Sequence, residues 1–216
     1  MHVQVTLTRP SCILGPGGRK FSDKAYLELC DANPDLRVER TACGEIVVMP
    51  PAGGESSYRS QDVGTQLGLW AKKNGRGKVF DSSSQFFLPD MSALSSDAAW
   101  VSNESLKRTS LEERRRFPRL CPEFVVEVRS PSDRLSHAKA KMERWIANGA
   151  QLAWLIGADR QTVYIYQPNQ PVEMRKGILR LAGKGPVGPH RAAGSVVRRD
   201  KPGFVLQLRT IWEGLK

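Results

Sequence analysis

The sequence has no long apolar run. Its best apolar stretches, Phe124–Val128 and residues 152–156, are far shorter than the about 20 residues that a membrane-spanning helix needs. The first ten residues, Met1 to Pro10, lack the basic start and apolar core of a secretory signal. We therefore expect a soluble protein that acts in the cytoplasm and has no membrane partner.

Cysteine and histidine are scarce and scattered. The four cysteines and three histidines are Cys12, Cys30, Cys43, Cys121, His2, His137 and His190. No two cysteines form a CxxC pair, and a histidine-based zinc site is not expected. Two disulfides would use all four thiols, but free buried thiols are the preferred interpretation without an export signal. The chain also lacks a Walker loop, a GxSxG elbow and an HExxH helix, which argues against the corresponding enzyme classes.

Acidic residues are too few to balance the basic ones. The formal net charge is +11, and residues 171–216 contain ten Lys/Arg against three Asp/Glu. Such an excess favours association with an anionic partner.

Alternating and helical patterns predict one α/β domain over residues 1–216. Helices are predicted at residues 21–32, 57–73 and 134–148, and strands at 36–40, 45–49, 78–81, 85–88, 98–101, Phe124–Val128, 152–156, 163–166 and 204–208. The strand–helix–strand unit at 124–156 has the length of a parallel crossover, whereas residues 36–49 predict an antiparallel hairpin. We therefore expect a mixed β-sheet flanked by α-helices. Residues 177–202, rich in Gly, Pro and Arg, are expected to form a flexible basic loop.

Glu127 is the first candidate for chemistry because it is a carboxylate inside an otherwise apolar strand. A buried charge is costly unless it is paired or bound to a metal. Two interpretations stay open here: a structural salt bridge, for instance with Arg129, or a metal ligand.

Three further residues are candidates for a site that contains Glu127. Asp97 opens the strand at 98–101, and two carboxylates on adjacent strands can bind a hard divalent cation, although a strand-end aspartate is more often a turn residue. Lys141 flanks the buried stripe of the helix that follows Glu127 and could stabilise charge on a phosphate, or simply extend along the surface. Glu39, beside Arg37 and Arg40, most simply makes a surface ion pair.

The order of these residues resembles the Uma-two family, a group of restriction-endonuclease relatives within the PD-(D/E)XK nuclease superfamily. The segments that carry the resemblance are Ile46-Val47-Val48-Met49-Pro50-Pro51, Ser96-Asp97-Ala98-Ala99-Trp100-Val101, Phe124-Val125-Val126-Glu127-Val128-Arg129-Ser130-Pro131-Ser132-Asp133 and Lys141-Met142-Glu143-Arg144-Trp145. The resemblance runs from about residue 21 to 166 and resumes at 202–204. It departs at Ser96, where a proline is usual, and at Arg129, the superfamily's usual lysine position.

The resemblance implies a restriction-endonuclease-like mixed sheet of four or five strands and a site made of Asp97, Glu127, Lys141 and Glu39. Asp97 and Glu127 would be the metal-binding carboxylates, joined by the Val128 carbonyl, with Mg²⁺ or Mn²⁺ as the cofactor. The lysine would come from the helix, at Lys141.

The leading hypothesis is a Mg²⁺-dependent endonuclease that hydrolyses DNA phosphodiester bonds by a metal-activated water. One alternative is a non-catalytic nucleic-acid-binding module on the same fold, and another is a structural or toxin-like partner protein with no nucleic-acid role. A homodimer is expected, since cutting both strands of a duplex needs two active sites.

Overall fold

The computed structural model describes residues 11–13, 20–191 and 200–215. Its strands are β1 (Ser11–Ile13), β2 (Arg37–Arg40), β3 (Ile46–Met49), β4 (Gly77–Asp81), β5 (Phe86–Phe87), β6 (Ala93–Leu94), β7 (Ala98–Ser102), β8 (Phe124–Val128), β9 (Leu152–Gly157), β10 (Thr162–Tyr166), β11 (Glu173–Lys176), β12 (Arg180–Ala182), β13 (His190–Arg191), β14 (Asp200–Lys201) and β15 (Val205–Gln207). Its α-helices are α1 (Asp23–Ala32), α2 (Gly54–Asn74), α3 (Asn103–Lys107), α4 (Leu111–Arg115), α5 (Leu135–Ala147) and α6 (Arg209–Glu213).

Six strands form a mixed sheet in the order β11-β10-β9-β8-β7-β4. β8 and β9 run parallel, with Phe124 opposite Leu152 and Val128 opposite Ile156. The other neighbouring pairs are antiparallel. The predicted crossover and the mixed sheet flanked by helices are therefore confirmed, although the sheet has six strands where the resemblance implied four or five.

The two longest helices pack against opposite sides of this sheet. Val63 of α2 lies in one core cluster with Val126, whereas Trp145 of α5 lies in another with Val125. Because successive strand residues point to opposite faces, Glu127 shares its face with Val125, the face covered by α5. The apolar alternation of β8 thus directs a single carboxylate toward the helix that carries Lys141.

A smaller, antiparallel sheet holds the other half of the site. Its strand order is β1-β3-β2-β6-β5. β2 and β3 form the predicted hairpin, in which Arg37 lies opposite Met49 and Arg40 opposite Ile46. Helix α1 packs on this sheet through Tyr26, whose hydroxyl donates a hydrogen bond to the Val38 carbonyl at 2.9 Å.

Helix boundaries follow local chemistry. Ser22 caps α1 by accepting a hydrogen bond from the amide of Ala25, as predicted. Helix α2 ends at Asn74 and is capped by Gly75, which adopts the left-handed conformation with φ 75°. It begins at Gly54, three residues before the predicted start. The sequence did not indicate this start because the N-cap residue, Gly53, has no side chain that could make a capping hydrogen bond.

Within 177–202, the structure describes the short strands β12, β13 and β14 and a 3-10 turn at Gly185–Val187, joined by irregular segments. The flexibility expected of this range stays a prediction. β12 pairs with β15, and the side chains of Leu181 and Val187 are buried. Phe204, just beyond this range, stacks on Trp154 of the large sheet with ring centroids 5.9 Å apart. These apolar residues follow no local helical or strand period. They are buried because they contact residues that are distant in the chain. Residues 192–199 lie outside the described residues, and a single domain over 1–216 remains a prediction.

None of the helices in the described ranges combines the length and apolar character that crossing a bilayer requires. Cys30, Cys43 and Cys121 are free thiols, as expected. They are not fully buried: Cys43 is exposed and the other two are partly buried. The side chain of Cys12 lies outside the described residues.

Candidate active site

Lys141 links the two sheets. Its Nζ atom lies 2.9 Å from Glu39 Oε1 and 2.9 Å from Glu127 Oε1. The three side chains are largely buried, with exposed fractions of 23% for Lys141, 13% for Glu39 and 17% for Glu127. Lys141 reaches this position because it lies one helical turn before the buried Trp145, on the face of α5 that covers β8. One ammonium therefore lies between carboxylates of both sheets.

Asp97 lies beside Glu127 at the start of β7. β7 and β8 pair with Ala98 opposite Val126, and continuing that antiparallel register by one residue places Asp97 opposite Glu127. Asp97 Oδ2 accepts a hydrogen bond of 2.7 Å from the amide of Val128. The three predicted metal-binding residues are thus brought together at one end of the central strands.

Burial dominates the electrostatics of both acids. It raises the pKa of Glu127 to about 8; the charge of Lys141 opposes this shift and the charge of Asp97 adds to it. Burial also raises the pKa of Asp97, against the hydrogen bond from the Val128 amide and the charge of Lys141. Both carboxyl groups would therefore be stabilised by a further positive charge.

Lys141 keeps its proton in this environment. Burial alone would lower the pKa of Lys141, but the charges of Glu127 and Glu39 outweigh burial and leave the pKa above its ordinary value. The lysine is therefore a cation at neutral pH.

The structure rules out the particular ion pairs that were considered for Glu127 and Glu39. Arg129 is not the partner of Glu127, since its guanidinium pairs with Asp159. Glu39 does not pair with Arg37 or Arg40 but with Lys141, away from the surface. Lys139, two residues before Lys141 on α5, therefore points to a different side of the helix and lies over the ring of Tyr164, with Nζ 4.5 Å from the centroid.

The donor atoms fit a hard divalent cation. No cluster of three or more His, Cys, Asp and Glu side chains suited to a metal occurs in the described part of the chain. The predicted set needs only two carboxylates, with a main-chain carbonyl as the third oxygen. Glu127 Oε1 is buried, and the ammonium of Lys141 lies 2.9 Å from it. Oxygen ligands of this kind suit Mg²⁺ or Mn²⁺.

Sequence reasoning missed two residues that hold the acids. The hydroxyl of Ser60 in α2 hydrogen-bonds Asp97 and lowers its pKa, and the amide of Ser95 donates to Glu39 Oε1 at 3.0 Å. A signal for Ser60 was present: it lies three residues before Val63 and seven before Leu67, so it is a polar residue on the buried face of an amphipathic helix. The hydrogen bond from Ser95 uses its backbone amide, which almost any residue could supply, so the sequence could not indicate it.

One comparison with known proteins shows the fold, and another shows the family. A solved structure titled "Crystal structure of a putative nuclease belonging to DUF820 from Anabaena variabilis ATCC 29413" superposes with a TM-score of 0.62 at 17% sequence identity, covering 88% of this chain and 96% of that one. At this identity the likeness shows the fold. No curated protein matches the sequence. A sequence model of the Uma2 family, described as "Putative restriction endonuclease", matches residues 23–183. The match spans most of the chain, and the protein therefore belongs to the Uma2 family.

Proposed function

We propose that this protein is a metal-dependent endonuclease that hydrolyses phosphodiester bonds of DNA. The observation that supports the proposal most is the contact of one ammonium, Lys141 Nζ, with carboxylates from two sheets at 2.9 Å each, with Asp97 opposite one of them. A buried cluster of three acids and one lysine is costly to fold, and such clusters concentrate at functional sites.

Each residue has a distinct role in the proposal. Asp97, Glu127 and the Val128 carbonyl would hold Mg²⁺ or Mn²⁺, which when bound supplies an activated water and neutralises phosphate charge. Lys141 donates its N–H groups toward the attacking water and the charge that develops on the phosphate. Glu39 fixes Lys141 in place, since its Oε1 accepts from both Nζ of Lys141 at 2.9 Å and the amide of Ser95 at 3.0 Å.

Metal binding and cleavage test the proposal together. We expect isothermal titration to detect Mg²⁺ or Mn²⁺ binding to the wild type below millimolar concentration, with binding lost in Asp97→Ala and Glu127→Ala. Plasmid DNA should be nicked only by the wild type and only with metal. Thermal unfolding of each variant controls for folding. Absence of metal binding up to millimolar concentration together with intact plasmid would falsify the proposal.

A non-catalytic nucleic-acid-binding module is the second candidate. The net charge of +11 favours it, as do the departures from the family pattern at Ser96 and Arg129. It predicts that Asp97→Ala and Glu127→Ala leave DNA affinity unchanged or raise it, because each variant removes negative charge near the phosphates. Metal-dependent cleavage that is lost in both variants would reject it.

A further inference from the structure

Arg37 shares a strand face with Glu39. In β2, Val38 and Arg40 are buried on one face, and Val38 packs in the small-sheet core with Tyr26. Arg37 and Glu39 alternate with them and therefore point to the opposite face. Glu39 is largely buried against Lys141, whereas Arg37, at the end of the strand, is exposed to solvent. Arg37 is thus the solvent-side neighbour of the carboxylate cluster.

The charge of Arg37 is held near the site without being neutralised. One guanidinium nitrogen, NH2, donates to the carbonyl of Ser82 at 3.0 Å. Across residues 11–13, 20–191 and 200–215, no carboxylate lies within 4.0 Å of Arg37 in an ion pair. Arg37 lies two residues before Glu39 on the same face of β2. An anchored arginine with further N–H donors therefore borders the carboxyl cluster.

A nucleic-acid strand needs positive charge at this place. A phosphodiester offers only hydrogen-bond acceptors, as carboxylates do, and the ammonium of Lys141 is already paired with Glu39 and Glu127. A guanidinium presents N–H groups in a planar fork that matches two phosphate oxygens. We propose that Arg37 binds a backbone phosphate adjacent to the one attacked and so positions the strand over the carboxylates; this inference rests on the proposed nuclease function.

Binding and turnover of Arg37→Ala test the inference. The matched control is Lys72→Ala, which removes the same charge from the exposed last turn of α2, at the far end of that helix from Ser60. Affinity for a short fluorescein-labelled DNA duplex is measured by anisotropy in Ca²⁺ over a series of KCl concentrations, with gels to check that the duplex stays intact. Arg37→Ala should weaken binding about tenfold and reduce the slope of log affinity against log salt by about one. Its KM should rise about tenfold in Mg²⁺ while kcat stays within about threefold.

The outcomes separate this inference from the function on which it rests. Lys72→Ala should match the wild type, and Arg37→Lys should restore the salt slope but only part of the affinity, since a point charge replaces a fork. A wild type that binds without cutting, together with a lowered slope in Arg37→Ala, supports the phosphate contact while the nuclease proposal fails. A wild type that cuts, with Arg37→Ala indistinguishable from Lys72→Ala, overturns the inference alone. A wild type that neither binds nor cuts overturns both.

Discussion

Glu127 makes the stability of the metal-free protein depend on pH. Burial raises its pKa from 4.5 in the unfolded chain to about 8 in the fold. An acid with a raised folded pKa contributes stability that is complete below the unfolded pKa and is lost as the pH rises through the folded pKa. The sensitive window therefore runs from 4.5 to about 8.

We expect the free energy of unfolding of the metal-free wild type to fall across this window relative to Glu127→Gln, which cannot ionise. The measurement is chemical denaturation in EDTA at several pH values. Saturating Mg²⁺ should flatten the wild-type dependence, because a bound cation favours the ionised carboxylate. If the free energy of unfolding changes with pH in the same way for the wild type and Glu127→Gln, Glu127 does not have a raised pKa in the fold.

Substitution of Lys141 tests whether the site is catalytically active. Lys141→Ala should reduce turnover by about a hundredfold or more, the scale of losing one charge-stabilising donor, while Mg²⁺ affinity changes little. Lys141→Arg should not restore full activity, because a planar fork does not occupy the place of a compact ammonium. Single-turnover cleavage and metal titration measure the two quantities separately.

The surroundings of Lys141 add a stability effect that its place in the sequence does not predict. A lysine at the edge of a helix stripe should contribute little to folding, but Lys141 contacts two largely buried carboxylates at 2.9 Å. Removing it leaves both without their cation and should cost about 1–3 kcal/mol. Activity assays of Lys141→Ala therefore belong at a temperature where thermal unfolding shows the variant to be folded. Full turnover by a folded Lys141→Ala would rule out its catalytic role.

The site residues of the large sheet and of α5 could be predicted from the sequence more readily than those of the small sheet. Glu127 stands out because an apolar strand surrounds it, and Lys141 because it flanks a regular apolar stripe. Arg37 and Glu39 look like an ordinary surface ion pair, since only the packing of the small sheet against α5 separates their environments. The sequence could therefore predict the residues of the large sheet more firmly than the contribution of the small one.

At the scale of elements, the C-terminal segment is a part of the core. Phe204 is 1% exposed and lies against Trp154, Phe124 and Trp70, with ring centroids 5.9, 6.2 and 5.8 Å away. Phe204→Ala should lower the free energy of unfolding by about 3–5 kcal/mol, as expected for truncating a fully buried aromatic residue. Leu215→Ala, at a side chain that is 63% exposed, is the control and should change it by no more than about 0.5 kcal/mol. Urea denaturation compares them, and equal effects would argue against the docking of this segment.

Elements with strong local patterns could be predicted, and those stabilised by distant contacts could not. β8 and β9 are short apolar runs and α5 has a clear apolar period, and the structure places all three close to their predicted bounds. β6 and β12 are only two and three residues long, and neither shows an apolar period. β12 forms because β15 pairs with it, and β6 because β2 and β5 flank it. Such strands depend on partners far along the chain.

At the scale of the whole molecule, we expect a homodimer. Hydrolysis of both strands of a duplex needs two sites, and a two-fold axis supplies them with one gene product. Light scattering at micromolar concentration should give twice the chain mass of 24.0 kDa. A species of the chain mass alone, together with double-strand cleavage, would show that one subunit cuts the two strands in succession.

The contact between Glu39 and Lys141 spans 102 positions of the chain. During translation, at about 5–20 residues per second, about 5 to 20 seconds separate the synthesis of the two residues. Glu39 is therefore synthesised well before Lys141, its partner in the cluster. The cluster can form only once α5 has packed against both sheets. The proposed site is therefore incomplete for as long as Lys141 has not been synthesised.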